Sequence, residues 1–220
     1  MVFSILTELA IVLYELDRKT SNAILYSYSR LLGLMEMHRK EYDKNLLKSF
    51  GEDVFISGNV EIRRPHLVSM GNHIAIDSGF YIATSADFGD YIHIGPHVLV
   101  IGGAHSNLKL GNFTNLTLGA KIICGSDSFS GHGLVSAPGI PVEFLNEIKL
   151  SSVVIEDFAA VCAGAIVFPG VTISEGSVIG ANSVIKKDTL PWTIYAGTPA
   201  RPIKERPKEK MLEYAKKLGY

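Results

Sequence analysis

What the chain lacks narrows it first. Cysteine is scarce: Cys124 and Cys162 are the whole supply, so no disulfide framework of the secreted kind forms, and reduced thiols in a cytoplasmic protein are expected. Neither sign of charge is in excess. The 21 basic and 22 acidic residues leave a formal −1, without the basic footprint of a nucleic-acid binder. A long apolar run is also missing. The opening "MVFSILTELAIVLYELDRK" is interrupted by Glu8 and Glu15, follows no basic segment and precedes no small-residue cleavage site. It falls short of the about 20 mostly apolar residues that a spanning helix needs.

Long helical patterns are absent from residues 51–203, which are rich in Gly, Val and Ile instead. What stands there is a beat of six. Ile155, Val161, Val167, Ile173, Ile179 and Ile185 keep that step without a slip, as do Met70, Ile76, Ile82, Phe88, Ile94 and Val100. Leu110, Leu116 and Ile122 continue it in a third register. The next residue is often Gly (71, 89, 95, 111, 180), and four places on the side chain is small or β-branched, as at Ala159, Ala165, Val171, Ser177, Ser183 and Thr189.

No α-helix repeats every six residues. Each hexad reads as a short strand and a tight corner, with the aliphatic residue inward, the small one beside it and Gly easing the corner. Three hexads close a triangular turn of about 18 residues, and turns stack at roughly 4.8 Å, each strand pairing with its copy one turn later. The expected fold is an all-β solenoid, and the general crossover rule would make it right-handed.

The flanks differ. Residues 1–50 read as a helical segment, with a helix over 3–16 that aligns Ile5, Leu9, Val12 and Leu16 for packing, oligomer contact or peripheral contact with a membrane surface. Residues 204–220 read as a charged linker and a short helix using Met211, Leu212, Ala215 and Leu218. Both flanks suit capping of the coil.

"GVTISEGSVIGANSVIKKD" followed by "YAGTPARPI" resembles the signature of the hexapeptide-repeat acyltransferases. Within them the chain is similar to the acetyltransferases that act on maltose, galactosides or nucleotide-linked amino sugars. The resemblance covers about residues 54–203. It implies a left-handed parallel β-helix, a homotrimer with active sites between subunits, and acetyl-CoA as donor.

Function is expected where the repeat breaks, because insertions leave the ladder as loops. Extra residues lie between Val100 and Leu110, in "IGGAHSNLK", and a much longer excursion runs from about 126 to 152. Counting faces puts His105 and Asp127 on one edge, one turn apart, with their backbones about 5 Å from each other. His132 sits five residues along the long loop, and His93 and His97 lie on preceding turns.

A thioester attacked by a hydroxyl needs a base, for which histidine is suited near neutral pH. In the related maltose and galactoside enzymes the catalytic histidine stands where this chain has Asp127. The reading therefore takes His132 as base, Asp127 as its partner or as acceptor of an ammonium proton, and His93 as an alternative. His105 and Ser126 are taken as substrate-binding; His66, His73 and His97 are taken as structural. For the donor, Ala163 and Ala181 match positions that bind the pantetheine arm in relatives, and Lys186, Lys187 and Arg201 match positions near the phosphates.

Rival readings stay open at this stage. A zinc carbonic anhydrase on the same solenoid needs three imidazoles, and Ala137 stands where a histidine of its characteristic pair would fall. A non-catalytic scaffold, or an antibiotic or serine acceptor, are the others. The sequence points to a cytoplasmic acetyl-CoA-dependent acetyltransferase of a nucleotide-linked (amino) sugar or surface saccharide, with no metal.

Overall fold

The computed structural model describes residues 41–220, and in them the beat of six builds a coil with three faces. The first face stacks Val54–Ile56, Ile74–Ile76, Ile92–Ile94, Asn115–Leu116, Ala160–Val161 and Val178–Ile179. The second stacks Glu61–Ile62, Tyr81–Ile82, Leu99–Ile101, Lys121–Ile123, Ile166–Val167 and Val184–Ile185. The third stacks Val68–Met70, Ser85–Phe88, Asn107–Leu110, Val153–Ile155 and Thr172–Ile173.

Pairing along each of these ladders is parallel, and the periodic aliphatics lie in register. Ile82, Val100, Ile122, Val167 and Ile185, for example, form one rung-to-rung column on the second face. Met70, Phe88, Leu110, Ile155 and Ile173 do the same on the third. Every one of the fifteen periodic residues is at most 5% exposed, and the small residues four places on are buried as well, Thr189 at 6% being the most exposed of them. The coil has about seven turns and is left-handed, against the general crossover preference.

The glycines after the aliphatic residues do a different job from the one expected of them. The corner's left-handed backbone falls two residues later, as at Tyr91 (φ 58) and Phe113 (φ 57). Gly71 instead makes room for the next turn: a Cβ there would stand 2.6 Å from the Gly89 carbonyl oxygen and against the Asp90 carboxylate. That carboxylate is needed, because Asp90 Oδ1 accepts from the Asn72 backbone N–H at 2.5 Å. Asn112 and Asp157 repeat the arrangement at 2.8 Å on the next two turns.

The corner between the third and first faces carries an aromatic ladder. His73, Tyr91, Phe113, Phe158 and Trp192 follow one another with ring centroids 4.5, 5.0, 5.1 and 5.7 Å apart. Such pairs add about 0.5–1.5 kcal/mol each beyond their burial. The C-terminal helix, Glu209–Lys217, lays Met211 and Ala215 on Phe158 and Trp192, while Leu212 and Leu218 stay exposed. Tyr220 closes edge-on against Tyr91 and Phe113.

The coil ends two residues beyond the expected 203, in an antiparallel pair of Thr193–Gly197 with Ala200–Glu205. At the other end, residues 41–50 are not helical beyond a single 3-10 turn, Lys44–Leu46. The first turn of the coil has open backbone groups, and this segment lies across them: Tyr42 N–H donates to Ile56 O, and Met70 N–H to Ser49 O, both at 3.0 Å. The expected helix over 3–16 and the stretch up to residue 40 lie outside the described residues. No helix among the described residues is long and apolar enough to cross a membrane.

Candidate functional site

The long excursion leaves at the corner between the second and third faces. Gly125–Asp127 pairs antiparallel with Ile148–Leu150, and residues 128–147 form an arm beyond this short base. The arm is ordered by polar ties: Asn146, only 7% exposed, donates from Nδ2 to Gly133 O at 2.7 Å. The loop bearing His105 lies at the same corner one turn earlier, and Leu150 packs over its Gly103. That loop is braced by Thr84 Oγ1, which donates to Gly103 O at 3.0 Å, and by Ser106 Oγ, which accepts from Gly103 N–H at 3.1 Å.

The arm does not form the expected pair of His132 with Asp127. The Asp127 carboxylate accepts from the Ser136 hydroxyl at 3.2 and 3.3 Å, while His132 Nδ1 meets the Ser130 hydroxyl at 3.2 Å. Ser130 in turn leans on Asn146 Oδ1 at 3.3 Å. Each residue is therefore positioned by its own serine. Ser126 turns its hydroxyl to the Asp127 carbonyl at 3.0 Å.

His93 lies elsewhere, outward on the first face. Its Nε2 is 3.0 Å from Asp77 Oδ2, and its Nδ1 is 3.5 Å from Asn115 Nδ2. A shallow groove of about 510 Å³ runs beside it, lined among others by Phe55, His73, Tyr91 and Asn115. Two buried atoms here have no hydrogen-bond partner among the described residues, Asn115 Oδ1 and Thr117 Oγ1. An orphaned buried acceptor costs about 1–3 kcal/mol, so such a pair calls for a partner beyond residues 41–220. The sequence reading missed both residues; polar neighbours on either side of the inward Leu116 are the signal that was available.

The donor residues also divide. Lys186 and Lys187 are exposed at the corner of the arm, toward the C-terminal end, with Lys186 Nζ 4.9 Å from the Phe168 ring centre. Ala163 and Ala181 lie at the corner between the first and second faces, where Ala163 O accepts from Asn182 N–H at 2.8 Å. Arg201 is exposed on the last strand pair. The residues expected to hold the donor thus fall on different corners of one chain.

The cysteines are not placed for nucleophilic work. Burial pushes the Cys124 thiol up to about 11 and that of Cys162 upward, so neither is a thiolate near neutral pH. Among the described residues no group of three His, Cys, Asp or Glu side chains is arranged to hold a metal ion.

No model of a known protein family matches the chain. It is, however, 35% identical over 170 residues to dTDP-4-amino-4,6-dideoxy-D-glucose acyltransferase of Escherichia coli, covering 76% of this chain and 85% of that one. The fold superposes with a TM-score of 0.74 and 30% identity on the N-acyltransferase AntD of Bacillus cereus, solved with dTDP-4-amino-4,6-dideoxyglucose and coenzyme A, over 82% of this chain and 98% of that one. A hexapeptide-repeat acetyltransferase of Vibrio cholerae, 20% identical, shares the fold over 74% of each chain at a TM-score of 0.50. With its left-handed coil, its arm and these relatives, the chain belongs to the hexapeptide-repeat acyltransferases.

Proposed function

We propose that the chain moves an acyl group from acyl-CoA to the amino group of a nucleotide-linked 4-amino-4,6-dideoxy sugar destined for a surface saccharide, working as a homotrimer. The observation that carries this reading is a carboxylate, Asp127, at the root of the arm. A hydroxyl acceptor must lose its proton as it attacks, which favours an imidazole there. An amine arrives as ammonium and needs a proton acceptor before attack, and a carboxylate held by Ser136 suits that task. The freed amine adds to the thioester carbonyl, the C–S bond breaks, and the proton shed by the adduct nitrogen passes to the leaving thiolate to free coenzyme A.

Two further features support the reading. AntD has been solved with a serine and with an aspartate substituted, ten positions apart. In residues 41–220, Asp127 is the only aspartate with a hydroxyl residue ten positions before it, and that residue is Thr117, whose buried oxygen lacks a partner. Thr117 and Asp127 lie on different corners of one chain, as do Ala163 and Lys186. A second copy docked against the arm unites both sets, so His93, Asn115 and Thr117 of one subunit would face Asp127 of the next.

The test is release of free thiol from acetyl-CoA or 3-hydroxybutyryl-CoA in the presence of dTDP-4-amino-4,6-dideoxyglucose, with the product checked for an amide by mass. Asp127→Asn is expected to lower kcat by about a hundredfold or more, and His132→Ala by about tenfold or less. Absence of amide product with this acceptor overturns the proposal. A fully active Asp127→Asn would remove the carboxylate from its role.

A further inference from the structure

We propose that Arg63 and Arg64 seat the diphosphate of a nucleotide-linked acceptor, at the opposite end of the arm's corner from Lys186 and Lys187. The proposal rests on the acceptor class argued above and adds the group that recognises its nucleotide half.

The register of the second face is the starting point. Ile62, Ile82, Val100, Ile122, Val167 and Ile185 form one inward column. The two residues after each of these make the corner that carries the arm: Arg63 and Arg64, Ala83 and Thr84, Ile101 and Gly102, Ile123 and Cys124, Phe168 and Pro169, Lys186 and Lys187. Charge appears only on the first and last rungs, as a pair of cations each time. Between them the strip is neutral, and the arm leaves from its middle.

A polar recess of about 470 Å³ lies at the arginine end, lined by Arg63, Arg64, Tyr81, Ala83 and Gly102. Arg64 is half-buried there, and one of its N–H groups donates to Ala83 O at 2.6 Å, which fixes the guanidinium plane. A guanidinium has five donors in a planar fork suited to phosphate oxygens, so one anchoring bond leaves the fork in use. Arg63 reaches the Tyr81 hydroxyl at 3.4 Å and Glu61 at 3.5 Å. Arg63 and Glu61 are both exposed, and an exposed ion pair contributes little, so a doubly charged ligand displaces Glu61 readily. Gly102, at the far end of the recess, opens the His105 loop.

The chemistry explains why two cation pairs are wanted. The reaction brings together two polyanions, acyl-CoA and a nucleotide sugar, whose phosphates repel while their reactive ends must meet. Placing the phosphates at opposite ends of one corner lets both reactive groups converge on its middle. Three strand spacings, about 14 Å, separate the Arg64 rung from the rung of the arm's root. That is the length scale of a hexose bearing a diphosphate on its anomeric carbon. Only a nucleotide-activated acceptor uses both ends; a chloramphenicol-like acceptor has nothing for the arginines to hold.

The experiment pairs direct binding with kinetics on the full chain. Calorimetry with dTDP as probe is expected to show binding that Arg63→Gln/Arg64→Gln weakens about thirtyfold or more, and that Arg63→Lys/Arg64→Lys partly restores. In turnover, the glutamine double variant is expected to raise KM for dTDP-4-amino-4,6-dideoxyglucose by a similar factor while KM for acetyl-CoA stays within about twofold. Lys186→Gln/Lys187→Gln should do the reverse. No dTDP binding by the parent protein, or equal binding by the glutamine variant, overturns the arginine site. If dTDP binding depends on the arginines but no acyl transfer to the amino sugar occurs, the site stands and the acceptor reading above fails instead.

Discussion

The coil and the arm bury their apolar side chains in opposite ways. In the coil, Ile76, Ile94, Leu116 and Val161 are fully enclosed by copies of the same rung above and below. In the arm, Val142 is 82% exposed, Phe129 69% and Phe144 55%. The coil is complete in itself, because each strand finds backbone partners one turn away. The arm has a base of three paired residues, and beyond it these apolar side chains are left uncovered by the rest of the described residues. An apolar surface so concentrated is what the proposed contact between subunits would use, and it springs from the corner that carries Asp127.

Cutting the arm is the sharpest way to break this comparison. Replacing residues 128–147 with a short Gly-Ser turn should leave the coil folded, with circular dichroism and melting close to the parent. Turnover should fall by about a thousandfold or more and the proposed trimer should be lost, as read by light scattering. A cut chain that remains trimeric and active would show that the arm is ornament. A single rung gives the converse. Leu116→Ala leaves a cavity in a column that cannot collapse, at a cost of about 2–5 kcal/mol, and should lower Tm by roughly 5–20 °C in thermal melts. Val142→Ala, a smaller apolar truncation on the exposed arm, should leave Tm nearly unmoved in a dissociated subunit while weakening the proposed assembly.

That contrast also explains what could be read from the sequence. The rungs were legible because a period repeated over many turns is self-confirming: Ile155 to Ile185 all proved inward. The corner glycines were half legible. A glycine after the aliphatic residue was visible, but its purpose, clearing space for the Asp90 or Asn112 side chain of the next turn, is a relation between turns that a linear pattern does not display. The arm was legible only as an interruption. Nothing periodic places His132 relative to Asp127, and their capture by Ser130 and Ser136 depends on a loop path fixed by scattered polar ties such as Asn146. Thr117 escaped because its unpartnered oxygen is a feature of three-dimensional packing that no sequence pattern displays. Arg63 and Arg64 became meaningful once the register aligned them with Lys186 and Lys187.

The smallest effect belongs to the C-terminal closure, where the coil itself borrows a partner. Tyr220 donates its hydroxyl to Asp90 Oδ2 at 2.6 Å, on the carboxylate that also receives the Asn72 N–H. The bond to Asp90 pushes the Tyr220 hydroxyl from its ordinary 10.0 up to about 12. A group whose folded pKa is raised holds its proton longer in the folded state, so its stabilising contribution is complete below pH 10 and is lost as pH rises through about 12. On the acid side, hydrogen bonds from the Asn72 backbone and from Tyr220 hold the Asp90 carboxyl below its ordinary value, so that contribution is lost as pH falls through the lowered pKa. Tyr220→Phe keeps the ring against Tyr91 and Phe113 and removes only the hydroxyl. Melting curves across the pH range should then show a weaker alkaline decline and a smaller acid decline, complete nearer the ordinary carboxylate range. Identical alkaline profiles for the two proteins would mean that Tyr220 packs on the aromatic ladder without serving Asp90.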